Sequence, residues 1–240
     1  MDLTGGNNIT SLCKSGGGGN VVEFMTLVRQ TPFHFINRKK TFDLNDAVTL
    51  SLKSIYAFGR EYMLTQGFNQ EQRERSRRNI QAIGKIPYDA RQHDLIKGVV
   101  KSVKSIEFLS DFKPQDFSVN DINLTIPFVY HIENKEILVS VKVTKDASDA
   151  FENEIIRQKY YVETALMRQA VGSHYDCFIL AVELDNPHAH SFFRIDNSLL
   201  EKGDAEISEK LALLNECKTK NYYPSYFGGR AKTISKPSYL

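Results

Sequence analysis

Apolar residues recur at helical spacing from residue 21 onward and then at strand spacing after residue 115. In "VVEFMTLVRQTPFHFI", Val21, Phe24, Leu27 and Val28 fall on one side of a helix, and Pro32 marks its end. A second helix is predicted from Asp46 to Leu64, with Asp43 or Asn45 as its cap. In "RQHDLIKGVVKSVKSIEFLSDF", Leu95, Val99, Val103 and Ile106 share one face and Lys97, Lys101 and Lys104 another, which predicts an amphipathic helix with a basic stripe. The runs "INLTIPFVYHI" and "KEILVSVKVT", separated by "ENKE", read as a β-hairpin with a short polar turn. "SDAFENEIIRQKYYVETALMRQAV" reads as one helix of about six turns at ~1.5 Å per residue, capped by Ser148 or Asp149. "DCFILAVEL" has the continuous apolar character of a strand buried on both faces, and "SFFRIDN" is a further strand. The helix "SLLEKGDAEISEKLALLNECKTK" and the aromatic run "NYYPSYF" close the pattern. Strands joined as a hairpin, followed by helix, strand, strand and helix, predict an α/β fold with a central mixed β-sheet flanked by helices.

Composition adds boundaries to this picture. With 240 residues, 41% hydrophobic and 25% charged, the chain has ordinary globular character and enough length to bury a full core. Residues 1 to 20, rich in Gly, Asn, Ser and Thr, are expected to form a flexible amino-terminal arm, residues 21 to 228 the α/β domain, and residues 229 to 240 a carboxyl-terminal tail. Cys13, Cys177 and Cys217 are far apart and odd in number, so they suggest neither a disulfide framework nor a zinc site. No basic, hydrophobic leader and no run of about 18 apolar residues occurs, so neither an export signal nor a membrane span is expected. A formal net charge of +2 leaves any nucleic-acid affinity to local clusters. Two such clusters are present: Arg73, Arg75, Arg77 and Arg78, then Lys97, Lys101 and Lys104. They serve a nucleic-acid backbone only if they converge on one groove.

The chemistry-bearing stretch is "KEILVSVKVTKDASDAF", a strand that delivers Lys142 just before a polar turn. "VSVKVTKDASDAFENEIIRQKYYVETALM", followed by "CFILAVELDNPHAHSFFRIDNSLLEKGDAEISEKLALLNECKTKNYYPSYF", resembles the exodeoxyribonuclease VIII branch of the PD-(D/E)XK nucleases, common in phages. The likeness runs from about residue 21 to 228, with "TPFHF" similar to the opening phrase of that branch. It rests on the order and spacing of several pieces and not on any single motif. The resemblance implies a PD-(D/E)XK nuclease fold in which acidic side chains hold one or two divalent metals. A lysine then serves the attacking water beside a scissile phosphate.

Set against that pattern, Lys142 takes the place of the lysine and Thr144 that of a trailing threonine. The acid two residues earlier is replaced by Ser140, and the acid of the preceding strand falls near "PFVY", where Phe128, Val129 and Tyr130 stand. The Gln-x-x-x-Tyr phrase of the following helix reads Glu163 to Met167, and "DAVTLSLKS" offers no counterpart to an early-helix histidine. Ser140, Tyr130, Glu163 and Met167 therefore stand at degenerate motif positions around a relic Lys142, with no catalytic set intact and no metal site expected. Glu136, six residues from Lys142 along a strand at ~3.3 Å per residue, is too distant to share an ion with it. Other features carry less. "SGGGGN" lacks the ending of a phosphate-binding loop, "HAH" at 188–190 lacks further ligands, and His34 reads as packing. Tyr160, Tyr161, Tyr222, Tyr223 and Tyr226 read as core in preference to base-stacking groups.

Two readings follow. In the favoured one the chain is a phage-encoded nuclease fold that no longer cleaves and needs no cofactor. It acts in the host cytoplasm or the virion as an assembly, virion or DNA-proximal component, with its terminal arms contacting other phage or virion proteins. Homo-oligomers are compatible with it, since many such folds form rings. In the alternative the chain is an active Mg-dependent exonuclease with rearranged ligands. A carboxylate pair beside Lys142 discriminates the two.

Overall fold

The computed structural model describes residues 19–30, 41–109, 114–120, 122–132 and 135–223. Residues 1–18, the "TPFHF" phrase with His34, and residues 224–240 lie outside them, and with them most of the predicted arm and all of the predicted tail. Among the described residues no helix is long and apolar enough to cross a membrane.

The centre of the fold is a four-stranded mixed sheet whose strands lie side by side in chain order. Strands β6 (Phe128–Ile132) and β7 (Lys135–Thr144) are antiparallel, β7 and β8 (Asp176–Glu183) are parallel, and β8 and β9 (His190–Arg194) are antiparallel. The parallel pair requires a crossover, which α6 (Phe151–Arg157) and α7 (Tyr160–Val171) supply. Side chains alternate across β7 with period two. Leu138 joins a core with α1 (Val21–Arg29), α7 and the 24-residue α8 (Asn197–Lys220). Val139, Val141 and Val143 join a second core with α2 (Leu44–Lys53), α3 (Ile55–Glu61) and α5 (Ala90–Lys104). Between α3 and α5 lie β2 (Tyr62–Leu64), α4 (Gln70–Ala82) and β3 (Ile86–Tyr88), with β2 and β3 forming a small parallel pair. A third small sheet is built from β1 (Gly19–Asn20), β5 (Ile122–Ile126) and β4 (Gln115–Val119).

Three predicted elements are divided in the structure, each for a local reason. The helix expected over Asp46 to Leu64 is α2, α3 and β2, divided at Ser54. The Ser54 N–H donates to the Leu50 carbonyl and ends α2, while its Oγ accepts from the Ala57 N–H and starts α3. Asp43 is the cap of α2, accepting from the Asp46 N–H at 3.0 Å. "INLTIPFVYHI" is two strands, because Pro127 has no N–H to give a ladder. Of these, β5 pairs with β4, and only β6 forms the expected hairpin with β7. The six-turn helix is α6 and α7, divided at Lys159, whose φ of 56° is left-handed. Its ammonium is held by Glu206 of α8 at 2.6 Å. Ala150 takes the cap position of α6, without a side-chain bond to the helix.

β7 outruns β6: the pairing ends at Phe128 opposite Val139, five residues before Thr144. The Val143 N–H beyond that point would lack a ladder partner. Asn45 at the start of α2 provides one, accepting it through Oδ1 at 2.7 Å. This bond seats the first turn of α2 over the free edge of β7 and opens a cleft between them.

Candidate functional site

The cleft has a volume of about 530 Å³, and its floor carries Ser140 and Lys142 of β7. Both are buried. The long Lys142 side chain is held by its charge: Nζ donates to Glu163 Oε1 of α7 at 2.6 Å. It also lies 5.0 Å from the centre of the Tyr160 ring. Met167, one helical turn beyond Glu163, lines the same wall. Two of the four degenerate motif positions, Glu163 and Met167, are thus brought to Lys142 together with a third, Ser140. Tyr130 is placed differently, opposite Ile137 in the hairpin and three residues away from Ser140 along β7.

The Ser140 Oγ is fully buried and makes no hydrogen bond. Pro127, just before β6, lines the cleft with Ser140, and Phe128 at the start of β6 joins the second core. Neither brings an acid. Thr144 donates to Glu154 Oε2 at 2.9 Å, at the far end of the strand.

A residue with no signal in the motif comparison also reaches the cleft. Asp46, on the first turn of α2, accepts a hydrogen bond from the Tyr62 hydroxyl at 2.7 Å. Burial, with Asp43, Glu61 and Glu163 nearby, pushes its pKa up to about 6, against the Tyr62 bond that pulls it down. Burial and the Asp46 carboxylate push Tyr62 far above its usual value in turn. In the sequence Asp46 reads as an ordinary acid in the first turn of a helix, where the dipole favours it. Asp46 follows Asn45, whose side chain ties the start of α2 to β7, and it lines the cleft with Lys142.

The residues present do not fit the metal set of the nuclease pattern. Mg²⁺ requires hard oxygen donors in near-octahedral array. Both strand positions that should donate carboxylates are neutral, and Glu163 is engaged by Lys142. Among the described residues no three of His, Cys, Asp and Glu come together as a metal site. Glu136 is paired with His174 and not with the cleft. Asp146 and Asp149 are exposed, and Asp146 accepts from the Ser148 N–H in the turn after β7. His188 packs its ring on α5 at Gly98, where a Cβ would clash with Nε2.

None of the seven residues predicted to meet nucleic acid lines this cleft. Arg73, Arg75, Arg77 and Arg78 are exposed on α4, and Lys97, Lys101 and Lys104 form an exposed stripe on α5, opposite the buried Ile96, Val99 and Val103. The cations lining the cleft are Arg29, Lys53, Arg60 and Lys142, and they face Asp43, Asp46, Glu61, Asp116 and Glu163. Lys53 is paired with Asp116 and Lys142 with Glu163. Such a balance does not focus positive potential on a phosphate.

Residues 120–236 match the family described as a PDDEXK-like domain of unknown function. The fold is similar to a crystal structure from Eubacterium rectale provisionally named an exonuclease. That likeness covers 99% of this chain and 96% of the other, with a TM-score of 0.56 at 11% identity. An alkaline exonuclease from Laribacter hongkongensis aligns over 83% of this chain and 96% of its own, with a TM-score of 0.33 at 11% identity. No curated protein matches the sequence. A mixed sheet with Lys142 on a central strand and a crossover helix facing that lysine both lie within residues 120–236, and this segment is a domain of the PD-(D/E)XK-like type.

Proposed function

We propose that this protein is a nuclease fold that binds DNA without cleaving it, a phage-encoded component of an assembly or virion that works beside DNA. The observation that carries the reading is the state of Lys142. Its ammonium is neutralised by Glu163 at 2.6 Å, and the residue two positions before it is a serine with an unsatisfied hydroxyl. A lysine so engaged has no free charge for a water or a phosphate. The charge balance of the cleft supports the same conclusion, and the exposed basic residues of α4 and α5 are the surfaces suited to DNA contact. Protein partners and self-assembly belong to this reading as well, since a non-enzymatic component acts through its surfaces.

The deciding experiment is digestion of linear duplex DNA in Mg²⁺ or Mn²⁺. No cleavage is expected, with binding retained. Cleavage abolished by Lys142→Ala overturns the reading.

A second reading, an active Mg-dependent exonuclease with rearranged ligands, is favoured by one observation. Asp46 and Glu163 are carboxylates that line the cleft with Lys142. It requires both to leave their present partners, Tyr62 and Lys142, for a metal. Calorimetric titration of Mn²⁺ into wild type and Asp46→Asn separates the two: this reading needs saturable binding that the substitution removes, and the first needs none.

A further inference from the structure

Phe68 is 98% exposed, on the turn between β2 and α4. An aromatic ring so placed leaves nearly all of its apolar surface in water. A loose turn would fold it away, but this turn is fixed by α4. The Gln66 N–H donates to Ser76 Oγ at 3.0 Å, and the Phe68 N–H to Gln72 Oε1 at 2.9 Å. Asn69 caps the helix by accepting from the Gln72 N–H at 2.9 Å, and Arg73 Nε donates to the Gly67 carbonyl at 3.2 Å. Gly67 has a φ of 137°, and a Cβ there would lie 2.7 Å from that of Gln72. The usual use of an apolar residue before a helix cap is to pack on the fourth helical residue. That residue here is Arg73, so no local staple accounts for the ring.

What surrounds Phe68 identifies the kind of partner. α4 buries only Ile80 and presents Arg73, Arg75, Arg77 and Arg78, with Glu71 and Glu74, to solvent. Four guanidinium groups against two carboxylates give the helix surface a net positive charge. The exposed apolar Ile83 stands at the opposite end of α4 from the Phe68 turn, so a polyanion finds fixed cations at the end nearest the ring. Arg73 and Arg77, one turn apart, lie on the same flank of the helix. An exposed ring fixed next to arginines has the two parts of a single-strand site, a stacking platform and a backbone clamp.

We propose that the Phe68 turn and the arginines of α4 hold an unpaired stretch of nucleic acid, the ring stacking on a base and Arg73 and Arg77 meeting the flanking phosphates. This rests on the reading that the protein binds DNA, and it adds a site outside the Lys142 cleft with a preference for unpaired bases. Fluorescence anisotropy in EDTA tests it, with a labelled single strand, a blunt duplex and a duplex bearing a single-stranded tail. The single strand and the tailed duplex are expected to bind more tightly than the blunt duplex. Phe68→Ala should weaken those two about tenfold while leaving the blunt duplex unchanged, and Phe68→Trp should restore them. Because Phe68 is almost fully exposed, circular dichroism and thermal midpoint should not move. If Phe68→Ala leaves single-strand affinity unchanged while wild type still binds duplex, this site is overturned and the DNA-binding reading stands. If wild type binds none of the three, both fall. Self-association of wild type that Phe68→Ala abolishes, with DNA affinity unmoved, would reassign the turn to a protein interface.

Discussion

Lys142 on the central strand and Glu163 on the crossover helix are 21 residues apart in sequence, and their side chains meet at 2.6 Å. The pair is buried, with Lys142 side-chain exposure at 4% and that of Glu163 at 12%. Lys142 stands where the nuclease pattern has its lysine, and its ion pair joins β7 to α7.

Breaking this pair should therefore act on stability. Lys142→Met leaves the Glu163 carboxylate unpaired in the interior, and Glu163→Leu strands the ammonium. Either change should cost about 3 kcal/mol, while the double substitution recovers most of that loss, because a buried pair and its apolar replacement are often close in energy. Urea unfolding of the four proteins gives the coupling directly. Additive losses would show that the two side chains do not act as a pair.

Asp46 introduces a pH dependence of opposite sign to that of most carboxylates. Its folded pKa of about 6 lies above the ordinary 3.8, so the folded state binds the extra proton between those values. Its contribution is fully present below about 3.8 and is lost as pH rises through about 6. Asp46→Asn should be more stable than wild type by roughly 3 kcal/mol at pH 7.5, at 1.36 kcal/mol per pKa unit. Near pH 4 the difference should all but vanish. A difference that stays constant across this range would contradict the assignment.

Ser140 stands where the nuclease pattern has an acid, and its substitution tests whether anything uses the hydroxyl. Because Oγ makes no hydrogen bond, Ser140→Ala should be neutral or should stabilise by about 1 kcal/mol, the order of an unmet buried polar group. A clear destabilisation in chemical denaturation would reveal a partner for the hydroxyl.

The basic stripe of α5 predicts a salt signature. Charge reversal of Lys97, Lys101 and Lys104 should weaken DNA binding and flatten the dependence of log affinity on log salt, by about 0.9 for each duplex phosphate that is no longer neutralised. The three side chains are exposed and α5 packs through its other face, so folding should be preserved. Unchanged affinity and slope would leave α5 to a protein-facing role.

Much of the architecture was legible from patterning. The buried strand β8, the long α8 and the amphipathic α5 follow from periodicity, because a 3.6-residue or two-residue repeat is imposed by burial of one face. The divisions at Ser54, Pro127 and Lys159 were not. Each depends on a single residue whose backbone or cap geometry outweighs the propensity of its neighbours. In one case the partner is distant in sequence, since Lys159 is held by Glu206, whereas β5 leaves the expected hairpin to pair with the neighbouring β4.

The candidate site divides the same way. The sequence alone determined that Lys142 lacks an acid at 140 and near 128–130, since residue identity and strand order suffice for that. Only the tertiary structure decided that Glu163 neutralises the lysine, that Asp46 enters the cleft under the Asn45 clamp, and that the predicted basic residues lie outside it. Those outcomes depend on which faces of α2, α4, α5 and α7 the packing turns toward β7. A helix pattern sets which residues share a face, and the fold alone sets what that face meets.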